Sequence, residues 1–537
     1  MKKHLPVKGY VALLFCLAVA LLFGAYPAQA AEHFNHSVCA DTENCTDPSH
    51  ETNHGNATWT EWTDASSLPT TAGSYYLAQD VTISATWKVP AGTTQLCLNG
   101  HTIKYENDTT RGSVINVPEG VTLTITDCAE TPGKIIGGTG TENTQYNTSL
   151  SQGGRYGGGL YVQGVLNFYG GSIEGNKIPT PSGSDYDGGG GVFVDGGDNP
   201  SSSASFRMYG GVITDNAADF AGCGVLCHNA TFDMYGGLIN ENEPVDNGEY
   251  YSGGVCVDEG STMNMHGGTV SGHSTNNGQI YVCKDATLVI DGENVIVADE
   301  SDDSGLYGFN GGKIEIKNGS VHNAVKLVQQ STLTMSGGVI SDGIRIIRGS
   351  SADISGGKIQ GTPGVQLSND YSYYGLPAIT LSGDPEISSI GLMAETRMNI
   401  KAELTYSKPI NITLPNGGII TNGWSTYMAD KNPTSFFSCT GYEIKEDNGE
   451  LFLISSGDHL HDGILFNNDL GALTADNQGI YSITTAGNYC LFDDHMIGDK
   501  SSIETTLYIG DGTNDVTVNL CLHGKSFLVE KMTQKAR

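Results

Sequence analysis

Phe206-Arg-Met-Tyr-Gly-Gly-Val-Ile213 and Phe232-Asp-Met-Tyr-Gly-Gly-Leu-Ile239 state one phrase twice. Its core recurs as Phe168-Tyr-Gly-Gly-Ser-Ile173, Met265-His-Gly-Gly-Thr-Val270, Met335-Ser-Gly-Gly-Val-Ile340 and Ile354-Ser-Gly-Gly-Lys-Ile359. Shortened copies stand at Ile290-Asp-Gly292, Ile316-Lys-Asn-Gly319 and Leu381-Ser-Gly383. The Gly-Gly pairs begin at 170, 210, 236, 267, 337 and 356, stepping by 19 to 40 residues where no shortened copy intervenes. Repeats of this length, each made of short alternating segments, signal a solenoid. A propeller blade needs a steadier period of about 40–50 residues, and the 19-residue step from 337 to 356 is too short for one.

Each repeat has the same internal order. A first strand follows a glycine-rich turn, as in Gly190-Gly-Val-Phe-Val194 and Gly253-Gly-Val-Cys-Val257. A second strand follows it, and its apolar residues alternate: Phe206 and Met208, Phe232 and Met234, Met263 and Met265, Leu333 and Met335. Period-two alternation points those side chains to one face and Arg207, Tyr209, Asp233 and Tyr235 to the other. The Gly-Gly pair makes a sharp bend, and a third short strand carries Val-Ile or Leu-Ile. Three short strands and three turns per repeat predict an all-β chain, a right-handed parallel β-helix of about twelve coils between Leu96 and Leu414. Stacked about 4.8 Å apart, those coils make a rod on the order of 55–60 Å long. Asn176, Asn216 and Asn242, with His273 and Gly343 in the same place, read as a structural turn ladder.

Outward from the repeat, composition excludes several function classes. The 537 residues include 73 glycines and carry 27 basic against 59 acidic side chains, a net charge of −32. Nucleic acid as a partner is excluded, because phosphate binding needs clustered Lys and Arg, and an anionic membrane surface is disfavoured for the same reason. Residues 1–30 read as a secretory signal: Lys2, Lys3 and Lys8, an apolar run from Val11 to Gly24, and a small-x-small site at Ala28-Gln-Ala30. The run is short for a bilayer span, and no later stretch is apolar enough to be one. The expected address is extracellular. Eleven of the 12 cysteines lie beyond this signal, an odd and sparse set that does not read as a disulfide framework.

The segment Trp59-Thr-Glu-Trp62, Leu68-Pro69, Gly73-Ser-Tyr-Tyr-Leu-Ala-Gln-Asp-Val81, Trp87 and Leu96-Cys-Leu-Asn-Gly-His-Thr-Ile103 resembles the opening of large secreted proteins of gut-type Gram-positive bacteria. Those proteins are described as adhesin-like or carbohydrate-binding-like, with a pectin-lyase-like β-helix. The Gly-Gly-x-Ile repeats resemble the same group and, more loosely, polymorphic outer-membrane adhesins. The resemblance covers roughly residues 36–455. It implies a secreted or surface role and transfers no catalytic residue.

The expected organisation is a signal at 1–30, a Cys/His-containing segment at 31–66, the β-helix at 67–423, a capping hairpin at 424–457 and a second, truncated module from 458 to 537. The hairpin is read from Tyr442-Glu-Ile444, the Asn448-Gly449 turn and Glu450-Leu-Phe-Leu-Ile454. The second module is read from Gly487-Asn-Tyr-Cys-Leu491 and Val518-Asn-Leu-Cys-Leu-His-Gly524, which echo Gly73-Ser-Tyr-Tyr-Leu77 and Gln95-Leu-Cys-Leu-Asn-Gly100. Any surface anchor is expected to belong to a missing C-terminal region.

Four candidate chemistries follow. His36, Cys39, Cys45 and His50 supply two thiolates and two imidazoles, a donor set for Zn²⁺; export favours instead a Cys39–Cys45 disulfide. Asp185, Asp187, Asp195 and Asp198 form an acidic glycine-rich insertion that suits Ca²⁺ or is a solvated loop. Cys227, Cys256 and Cys283 read as a ladder of small buried side chains on successive first strands. Tyr169, Tyr209, Tyr235 and His266 occupy one position of four coils, on the outward side. Stacked, they form an aromatic stripe suited to sugar faces, with Asp215, Asp233, Glu241 and Glu243 near in the repeat, or a ladder that only stabilises the rod.

The expected function is a secreted or cell-surface adhesin or carbohydrate-contacting structural module, without catalysis, whose partners are glycans or host and community surface molecules. One alternative is a polysaccharide lyase or glycoside hydrolase of the same fold. An inverting hydrolase needs paired carboxylates about 6.5–9.5 Å apart, and Asp302-Asp303 and Asp493-Asp494 occur only in loop-like and second-module contexts; a lyase needs a basic residue with an acidic cluster, and Arg345 and Arg348 have no such cluster close in sequence. The other alternative is a passive surface stalk.

Overall fold

The computed structural model describes residues 59–144, 153–178, 187–198, 203–245, 253–274, 277–298, 305–369, 372–406 and 408–455, and short strands between His459 and Val529. Residues 1–58, with the signal and His36, Cys39, Cys45 and His50, and also Asp185 and the pairs Asp302-Asp303 and Asp493-Asp494, lie outside the described residues.

The chain winds as a right-handed parallel β-helix with three long sheets. Sheet 1 holds the 14 first strands, sheet 2 the 15 second strands and sheet 3 the 12 third strands, each stacked in chain order. One coil runs Val192–Asp195, Ser205–Met208 and Val212–Thr214; the next runs Val225–His228, Thr231–Met234 and Leu238–Asn240. Their register is one to one: Phe206 opposes Phe232 and Met208 opposes Met234. In the three long sheets, parallel pairing runs from Thr60, opposite Tyr75, to Ser438, opposite Asn411.

The Gly-Gly pair divides two tasks between its residues. The second glycine has a left-handed backbone, with φ of 78° at Gly211 and 90° at Gly237. The first passes so close to the preceding coil that a Cβ on Gly236 would stand 2.6 Å from the Tyr209 carbonyl oxygen. A side chain at either position would strain the turn or push the coils apart.

The inward faces close one continuous core. Leu166, Phe206, Phe232, Met263 and Leu288 make one ladder in it, all buried, and the Phe206 and Phe232 rings stack with centroids 4.7 Å apart. Each such side chain contributes roughly 1.5–3 kcal/mol. A second, smaller core lies outside sheet 1, built from Tyr156, Phe193, Leu226, Cys256, Tyr281 and Cys283. First strands here are therefore covered on both faces: all four residues of Val225–His228 and of Ile280–Cys283 are buried. That accounts for their unbroken apolar runs. It also corrects the cysteine ladder. Cys227 faces the main core, whereas Cys256 and Cys283 face the outer one, because Cys256 stands in register with Leu226 and not with Cys227.

Asn176, Asn216 and Asn242 form the turn ladder. The Asn176 and Asn216 amides each donate to the next side-chain oxygen at 2.9 Å, and the Asn242 backbone N–H donates to His273 Nδ1 at 3.1 Å. All four are buried. The C-terminal end is closed by a short helix, Trp424–Met428, and an antiparallel sheet of Gly418–Ile419, Glu450–Ile454 and Glu443–Asp447. Its hairpin turns at Asn448 and Gly449, both at positive φ.

Beyond residue 458 the three-way alternation resumes. Gly487–Cys490 pairs in parallel with Val518–Cys521, His495–Ile497 with Phe527–Val529, and Ile480–Ile483 with Thr506–Ile509. Among the described residues no helix is long and apolar enough to cross a membrane.

Candidate functional site

Sheet 2 brings Tyr169, Tyr209, Tyr235 and His266 into one stack. Each follows the last residue of its second strand, and its backbone N–H is held by the coil before: Tyr209 by the Phe168 carbonyl, Tyr235 by Met208 and His266 by Met234. One-to-one register therefore superposes the rings. Tyr169 and Tyr209 lie 4.4 Å apart and 4° from parallel, Tyr209 and Tyr235 4.9 Å and 6°, Tyr235 and His266 4.9 Å and 18°. The three tyrosines are half-buried and His266 is exposed. Rings stacked this closely turn their faces to one another, so only edges are left to meet solvent, and the Tyr209 hydroxyl is itself buried. Beyond His266 the next coil carries Asp291 in the same place, its N–H held by Met265.

Two residues back along each strand runs a polar row of Asn167, Arg207, Asp233 and Asn264, in register on the same outward face. The Asn264 amide donates to the Asp233 carboxylate at 2.8 Å. The row sets guanidinium, carboxylate and amide beside the aromatic edges. Asp215, Glu241 and Glu243 lie elsewhere, beyond the third strands Val212–Thr214 and Leu238–Asn240. A three-residue strand puts them about 10 Å from the bend. Arg345 stands in register between Lys326 and Gln366, so no acidic row flanks it on adjacent coils.

A second constellation was not singled out from the sequence. The last residues of four first strands, Asp195, His228, Asp258 and Cys283, fall in one row over the outer core. Asp195 is the hub: His228 Nδ1 lies 3.4 Å from its Oδ1, Tyr161 donates its hydroxyl to Oδ2 at 2.6 Å, and the Gly197 N–H donates to Oδ1. Burial opposes the Asp195 charge, but the hydrogen bonds from His228 and Tyr161 outweigh it and hold the carboxyl below its usual range. Cys283 donates to Asp258 at 3.1 Å. Asp195 and His228 are 4% and 2% exposed, which leaves no path for a polymer, so this network pins the strands together. The signal was the shared fourth position of Val-Phe-Val-Asp195, Val-Leu-Cys-His228 and Val-Cys-Val-Asp258.

Among the described residues of the acidic insertion, Asp187 and Asp195 turn to different partners. Asp195 serves the hub above. Asp187 is buried and accepts the backbone N–H groups of Asp219 and Phe220 at 2.9 and 3.0 Å. Among the described residues no three His, Cys, Asp or Glu side chains gather as a metal-binding group. Burial, helped by the charge of Asp219, pushes the Asp187 carboxyl up to about 7 despite those two hydrogen bonds. An ordinary unfolded Asp loses its proton near about 3.9. Between these values the folded chain holds a proton that the unfolded chain has lost, so this residue's contribution to stability falls as pH rises from about 4 and levels off above about 7. Asp187→Asn should remove that slope. Urea unfolding of both chains across the window measures it, and an unchanging difference between them contradicts the assignment.

Compared with family models, with curated proteins and with solved structures, the chain matches none, and no family is identified.

Proposed function

We propose that this β-helix is a secreted or cell-surface protein that contacts carbohydrate through its sheet 2 face and performs no catalysis, as an adhesin does. The observation that carries the reading is the register of the Tyr169–Tyr209–Tyr235–His266 stack with the parallel row Arg207, Asp233 and Asn264. Ring edges repeat at coil spacing, two residues along from a row of guanidinium, carboxylate and amide groups. That pattern suits an extended, repeating glycan lying along the rod, with hydroxyls meeting the polar row and C–H groups meeting the rings. The signal-like residues 1–30 support export. The net charge of −32 favours neutral over polyanionic chains.

The test is a glycan-array and mucin-binding screen with the full chain, with and without calcium. Saturable binding to one sugar class is expected. Tyr209→Ala combined with Tyr235→Ala should weaken it about tenfold or more, since each aromatic contact is worth about 0.5–1.5 kcal/mol. Binding that the double variant leaves unchanged rejects the stack as the site. The half-burial of the rings favours a second reading, a passive stalk in which the stack only stiffens the rod; no saturable binding by a folded chain would select it.

A further inference from the structure

We propose that Cys97 and Cys128 are a thiol–disulfide exchange site that closes into an intramolecular disulfide, joining two adjacent coils at the start of the rod. Cys97 ends the strand Thr93–Cys97, and Cys128 lies just past Thr122–Thr126 on the next coil. The two sulfurs are 3.4 Å apart, with the Cys97 thiol directed at Cys128 Sγ. The backbone around them is held in place. Leu98 donates its N–H to the Thr126 carbonyl at 2.8 Å. The Asp127 carboxylate accepts N–H groups from Gly100 on one coil and from Ala129 and Gly133 on the other. Closing the bond moves two side chains and no strand.

The two thiols differ in the way an exchange reaction needs. Cys97 is buried, and its hydrogen bond to Cys128, with burial added, pushes its thiol well above the ordinary range. Cys128 is half-buried and reaches solvent. Cys128 therefore enters first: its thiolate attacks the sulfur of an external disulfide, forms a mixed disulfide and expels one thiolate. Cys97 then attacks Cys128 Sγ and expels the second thiolate, which carries off the Cys97 proton. The chain loses two protons and two electrons, and one disulfide of the oxidant becomes two thiols.

Among the described residues, access to solvent sets this pair apart. Of the other described thiols before residue 455, Cys223, Cys227, Cys256 and Cys283 are buried, and Cys439 lies at the opposite end of the rod. A cysteine pair also recurs in backbone register further along the chain. In the segment that echoes the opening, Cys490 and Cys521 stand opposite each other on neighbouring parallel strands, in the positions that Tyr76 and Cys97 take earlier.

The experiment exposes the folded full chain to glutathione disulfide, quenches with acid, alkylates the remaining thiols and maps the peptides by mass. One cross-linked species containing Cys97 and Cys128 is expected, lighter by two hydrogens than its separate peptides and divided by reduction. Cys97→Ser should trap glutathione on Cys128. Recovery of both cysteines alkylated, or of a lasting glutathione adduct on Cys128 in the unaltered chain, overturns the proposal.

Discussion

Trp424→Ala should lower the stability of the last coils by about 3–5 kcal/mol, the usual effect of emptying a buried large aromatic site. Trp424 is fully buried beneath the final coil, with its ring centroid 6.1 Å from that of Phe436 and 6.0 Å from that of Phe437. Its indole N–H donates to Glu446 on the capping hairpin at 3.2 Å. The hairpin holds the helix in return: the Glu450 carboxylate accepts from the Thr421 hydroxyl and from the backbone N–H groups of Gly423 and Trp424. Each coil of a solenoid contacts only its neighbours, so damage at an end spreads inward from that end. Hydrogen exchange should show faster opening of Met398–Leu404, Ile410–Thr413 and Glu450–Ile454, with Phe206 and Phe232 strands unaffected. Uniform exchange along the rod, or no change, contradicts the role given to the cap.

Asn216→Ala should cost about 2–4 kcal/mol and act in the middle of the rod. The Asn216 side chain donates to the Ile173 and Thr214 carbonyls and to Asn242 Oδ1, and it accepts from both the backbone N–H and the amide of Asn176. Alanine leaves the buried Asn176 N–H without its acceptor and two carbonyls without a donor, at about 1–3 kcal/mol for each buried group left unmade. Thr214→Ala, a half-buried neighbour, is the control and should change stability by about 0.5 kcal/mol or less. Denaturant unfolding with exchange at Ser172–Glu174 and Leu238–Asn240 measures both. Equal effects of the two substitutions contradict a load carried by the amide ladder.

The fold was legible because its determinants are local and periodic. Alternation at Phe206 and Met208, or at Leu333 and Met335, announces a strand with one buried face, and Gly-Gly announces the bend that follows it. The asparagine ladder was legible for the same reason, since it keeps a fixed distance from the first glycine. So was the superposition of Tyr169, Tyr209, Tyr235 and His266. Less legible was what depends on contacts across variable insertions. Asp195 and His228 are separated by a whole coil of irregular length, and nothing local says that their strands are covered on the outer side. Cys97 and Cys128 do not share a register position: Thr126 opposes Cys97, and Cys128 lies two residues further on. How far the ring edges are open also depends on stacking distance, which a motif does not state.

One-to-one register has a consequence for how such a chain changes over generations. Lys313, Thr332 and Ser351 oppose one another on three successive coils. A deletion from Thr332 through Gly-Ser350 would therefore bring Ser351 to the place Thr332 held, with inward residues still inward and Gly356-Gly357 still at the bend. A duplication of the same span would do the reverse. Overall length is then inherited in whole steps of about 4.8 Å, while the opening segment and the closing hairpin stay as they are. Unequal recombination between repeats, ruinous in most folds, here adjusts reach.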